Sequence, residues 1–70
     1  MQVKDYCAEF GKRVKEAREM RHVSQCDLAS KLNTKQSAVS RMEGGRHDPK
    51  LSTILKVAEA LGVGPEDLVG

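Results

Sequence analysis

Within the seven residues 35–41 stand five hydrogen-bonding or cationic side chains, Lys35, Gln36, Ser37, Ser40 and Arg41. Helical spacing turns Ala38, Val39 and Met42 inward at i, i+1 and i+4, so those five face outward together. Donors and acceptors on the outward surface of one helix can bond the edges and phosphates of a nucleic-acid duplex. They make no nucleophile, base and orienter set. This segment is the candidate reader.

The elements that must position it are legible on both sides. Ser24 is a good N-cap for a helix over 25–31, and Asp27 three positions on adds a weak capping box. Leu28, Ala29 and Leu32 recur at helical spacing, and Asn33, which tolerates a left-handed backbone, allows a sharp turn. Thr34 is expected to re-cap the chain for a helix over 35–43, which Gly44-Gly45 ends by passing through positive φ. Two short helices joined by a tight turn form a helix-turn-helix. Upstream, a helix over 5–20 carries Phe10, Val14 and Ala17 on one stripe, with Lys12–Glu16 and Lys15–Glu19 as exposed i,i+4 pairs. Downstream, a helix over 51–61 presents Leu51, Ile54, Leu55, Ala58 and Leu61 as the widest apolar stripe, closed by Gly62. Lys50 is a poor cap for that helix, and Pro65 opens a last short turn over 65–69. The expected fold class is all-α, in a single domain spanning residues 1–70.

Seventy residues are near the lower limit for a core without staples, so stability of a few kcal/mol is expected and a large catalytic cleft is not. Cys7 and Cys26 have neither a CxxC nor a metal-ligand spacing, which supports no zinc site and no disulfide framework and suggests a reducing compartment. Cys26, beside Gln25, reads as a buried or inert thiol more readily than a redox-sensitive one. His22 and His47 lack partners at ligand spacing, so no metal and no cofactor is expected. Neither a signal sequence nor an apolar run of about 20 residues is present, which excludes a membrane partner. The net charge is only +2, but Lys12 to Lys50 holds ten Lys/Arg against five Asp/Glu, while Leu51 to Gly70 holds one Lys against three acids. That asymmetry favours a polyanion along the first part of the chain. One Phe, one Tyr and no Trp make base stacking on a single strand a poor mode, leaving a duplex as the better partner.

From about Phe10 to Leu68 the chain resembles the lambda-repressor-like, or XRE-type, helix-turn-helix family. The matching parts, in order, are Arg18, SQ at 24–25, LA at 28–29, the small polar start of the third helix, Ser40, Glu43-x-Gly45, Pro49, and LSTILKVAEALGV leading into EDL. The resemblance implies a compact five-helix bundle that binds operator DNA, commonly as a homodimer, in a bacterial or phage-encoded, cytoplasmic protein. It further implies that Gln36 and Arg41 read bases, an amide suiting an adenine edge and a guanidinium fork suiting guanine. Ser37 would touch a base edge, and Gln25, Lys35, Ser40 and Arg46 would face phosphates, Gln25 also bracing the reader. Arg18 and Glu43 would form a structural ion pair tying the first helix to the end of the third. His22 and Asn33 stand where glycine is common in the family, and both residue types are enriched in left-handed conformations.

The function this favours is a sequence-specific duplex-DNA-binding regulator, expected to be a repressor binding an inverted repeat as a homodimer, not an enzyme. Val63, Leu68 and Val69 are the possible dimer seam. The alternative is a protein-interaction module on the same fold, such as an antitoxin or an anti-repressor, with a protein partner. Both a minimal regulator and the head of a longer repressor fit the chain's extent.

Overall fold

Four residues with left-handed backbone, His22, Asn33, Gly45 and Gly62, cut the chain into its helices. The computed structural model describes residues 3–69; residues 1, 2 and 70 of the expected 1–70 domain lie outside the described residues. The helices are α1 (Val3–Met20), α2 (Gln25–Lys31), α3 (Gln36–Glu43), α4 (Leu51–Leu61) and α5 (Pro65–Val69), with no strand among the described residues. The all-α, five-helix expectation holds.

The first four helices end in the same way. The residue after each left-handed position sends its N–H back to a carbonyl five residues earlier: Val23 to Arg18 at 3.1 Å, Thr34 to Ala29 at 2.9 Å, Arg46 to Arg41 at 3.1 Å and Val63 to Ala58 at 3.0 Å. These are Schellman closures, which satisfy the last carbonyls and turn the chain sharply toward the next helix. Gly44 keeps a right-handed φ of −79°, so of the expected glycine pair only Gly45 makes the turn. Thr34 closes α2 by its N–H and does not cap α3, which begins one residue later than expected, behind Lys35, whose side chain makes no cap bond. Ser24 does cap α2, its Oγ accepting from Asp27 N–H at 2.9 Å, although Asp27 returns no bond among the described residues.

Phe10, Val14, Leu28, Val39, Val57 and Leu68 are fully buried and define the core. α4 enters it by Ile54, Val57, Ala58 and Leu61, an i, i+3, i+4, i+7 arc. Leu51 and Leu55, expected on that stripe, are instead 70% and 47% exposed, Leu51 as the first residue of the helix and Leu55 on the flank away from Val57. Among the described residues the i,i+4 ion pair on α1 is Arg13–Glu9 at 2.9 Å, rather than the expected lysine pairs.

One close approach sets where α3 lies. A Cβ on Gly11 would stand 2.3 Å from the Met42 carbonyl oxygen and 2.8 Å from that of Glu43. Only glycine lets α1 come this near to the end of α3.

Candidate nucleic-acid interface

α3 is held from both ends. At its C-terminal end, Arg18 on α1 donates from Nε to Glu43 Oε2 at 2.6 Å and from Nη2 to Oε1 at 3.1 Å, while Nη1 donates to the Val23 carbonyl at 2.8 Å. The two side chains are 11% and 4% exposed. Hydrogen bonding to the Glu43 carboxylate raises the Arg18 guanidinium above its ordinary range, against burial, which lowers it. Gln25, at the start of α2, donates to the same Glu43 Oε1 at 3.0 Å. One carboxylate therefore gathers α1, α2 and α3, and no buried side-chain polar atom among the described residues lacks a partner.

From Gln25 the network continues outward. Gln36 Nε2 donates to Gln25 Oε1 at 3.5 Å, and the Cys26 thiol donates to Gln36 Oε1 at 3.6 Å. These long contacts are weak, but they orient the amide at the start of α3. Each end keeps capacity, since an amide nitrogen has a second hydrogen and its oxygen a second lone pair. A free donor beside a free acceptor is the pair that an adenine edge complements. The Cys26 contact with Gln36 was not foreseen from sequence, where nine intervening residues and a turn hide it. Cys26 is exposed rather than buried; the buried cysteine is Cys7.

Lys35, Gln36, Ser37, Ser40, Arg41 and Arg46 are all exposed. Apart from Gln36, none of them makes a side-chain hydrogen bond among the described residues. They lie on α3, its N-cap and the turn that follows it. The seam candidates differ in burial. Leu68 is fully buried in the core, because α5 folds back onto α1 and α4, and it cannot line a surface of the folded chain. Val63 is half-buried against the core and Val69 is 41% exposed. No group of three metal-ligating side chains occurs among the described residues, and no helix is long and apolar enough to cross a membrane.

The helix-turn-helix family profile matches residues 14–68. The chain is 40% identical over 60 residues to an immunity repressor protein of Bacillus phage phi105, a match covering 86% of this chain and 42% of that one. It is 34% identical over 61 residues to multiprotein-bridging factor 1 of Candida albicans, covering 87% of this chain and 40% of the relative. The chain thus spans about two fifths of the length of these two curated relatives. Among solved structures it is similar to the restriction-modification controller protein C.AhdI from Aeromonas hydrophila, with a TM-score of 0.83 and 35% identity over 89% of this chain and 94% of that chain.

Proposed function

This chain belongs to the helix-turn-helix family, and from that premise we propose that it is a sequence-specific duplex-DNA-binding transcriptional regulator of the repressor type. The observation that carries the reading is the outward face of α3, polar, with Lys35 at its cap and Arg41 in its last turn, and with the Gln36 amide oriented from behind by Gln25. α3 enters the major groove. Gln36 meets an adenine edge, Arg41 takes guanine O6 and N7, and Ser37 touches a neighbouring base edge. Lys35, Ser40, Arg46 and Gln25 hold phosphates and set the register without carrying sequence information. Each good bidentate pair discriminates by about 1–3 kcal/mol, so two such pairs leave one half-site with limited specificity. A homodimer on an inverted repeat, with half-sites about one helical turn apart, supplies the rest. Its seam draws on Val69 and Val63 at the C-terminal end, with Leu68 remaining in the core.

Selection from a random duplex library at fixed, near-physiological salt tests this. The expected result is an enriched inverted repeat bound by two chains. The likeness to a multiprotein-bridging factor favours a second reading, in which the same fold binds a protein partner. A folded chain that enriches no duplex supports that one.

A further inference from the structure

Beside α3, between the α2–α3 turn and α4, lies an open hollow of about 350 Å³. Thr34, Arg41, His47, Thr53 and Lys56 line it over an apolar floor that includes Met42, and no acidic residue contributes. Ten acids stand against twelve Lys/Arg in the chain as a whole, so a rim with two cations, Arg41 and Lys56, an imidazole and two hydroxyls but no carboxylate is a local concentration of one sign. None of these five side chains is engaged in an ion pair among the described residues.

Position adds to composition. Gln36 and Arg41, five residues apart, lie about 140° apart around α3. Gln36 borders α2, where it touches Gln25 and Cys26, and Arg41 borders this hollow and α4. A duplex read by α3 has a phosphate strand on each side of a groove about 12 Å wide. The strand on the α2 side meets Gln25. The other strand runs toward the hollow.

We propose that the hollow between α3 and α4 is a phosphate-binding site, which takes a backbone phosphate of the strand on the α4 side. Lys56 supplies the charge from α4, the Thr34 and Thr53 hydroxyls and the His47 imidazole supply hydrogen-bond donors, and Arg41 at the rim joins this contact to base reading. This rests on the DNA-binding reading above and adds α4 to the contact surface.

The test compares the parent with Lys56→Gln and Thr53→Val, neither of which belongs to the base-reading set, in duplex binding across a salt series and in titration with inorganic phosphate followed by NMR. Thermal melting checks that both variants fold. Lys56→Gln is expected to weaken operator and mixed-sequence duplexes by the same factor, on the order of threefold, and to lower the slope of log affinity against log salt by about 0.9, the loss of one phosphate contact. Thr53→Val is expected to weaken both duplexes while leaving the slope unchanged. Parental affinity and slope in Lys56→Gln, with the parent still binding duplex, overturn the site and leave the DNA reading standing. Should the parent bind no duplex, that reading fails. Phosphate-induced shifts at His47, Thr53 and Lys56 that vanish in Lys56→Gln then assign the site to a free phosphate compound, and their absence overturns the site as well.

Discussion

Arg18 spends three of its five N–H donors on two neighbours, the Glu43 carboxylate and the Val23 carbonyl. Removing it leaves Glu43 almost fully buried with only Gln25 as a partner. Arg18→Leu is therefore expected to cost about 3–5 kcal/mol, and at about 4–8 °C per kcal/mol the melting temperature falls by more than ~12 °C. A melt within a few degrees of the parent contradicts the pair's structural role. The raised guanidinium has a definite consequence for pH. A cation whose folded value lies above its unfolded value contributes its full stabilisation below the unfolded value and loses it only as pH rises through the folded one. The tie thus holds across the neutral range, and the Arg18 guanidinium does not weaken it on acidification. Arg18 and Glu43 could be paired from the sequence because their family resemblance names both. The Gln25–Gln36–Cys26 contacts could not, because they depend on how two helices approach, which no local spacing encodes.

The helices themselves were legible where a local rule acts alone. Ser24 caps, Asn33, Gly62 and His22 turn left-handed, and all five helices lie within two residues of their expected bounds. The errors came where a tertiary demand competes. Thr34 is a good cap by type, but it belongs to the closure of α2, and α3 starts one residue later, behind Lys35. Leu51 and Leu55 are apolar at helical spacing, yet Leu51 is the first residue of α4 and Leu55 lies on the flank away from Val57, which is in the core. Gly11, in the middle of a helix that favours other residues, was a signal that the hydrophobic stripe alone did not interpret. It marks the crossing of α1 over the end of α3. Gly11→Ala is expected to destabilise by about 1–3 kcal/mol despite alanine's better helix propensity, because backbone must move on both sides. Equal or higher stability on chemical denaturation would show that the crossing relaxes freely. On α4 and α5 the contrast is between exposed and buried leucines. Leu55→Gln is expected to stay within about 0.5 kcal/mol of the parent, whereas Leu68→Ala costs about 2–5 kcal/mol, and similar costs for the two would contradict the burial described here.

At the scale of the whole molecule, one carboxylate, one close crossing and one short C-terminal helix hold α3, the proposed reading helix, in place on a core of few side chains. Total stability is expected to be only a few kcal/mol, so losses at Arg18 or Leu68 approach the whole of it. Folding and binding are therefore separated most cleanly by exposed positions on α3, where truncation removes hydrogen-bonding groups without opening the core. The most direct measurement is parallel selection from one random duplex library, at fixed salt, with the parent, Gln36→Ala and Arg41→Ala, each checked for unchanged melting. The parent is expected to enrich an inverted repeat, Gln36→Ala to relax the consensus at one position of each half-site, and Arg41→Ala to relax it at a different position. A folded parent that enriches nothing, or a consensus that both variants leave intact, contradicts the assignment of α3 as the reading helix.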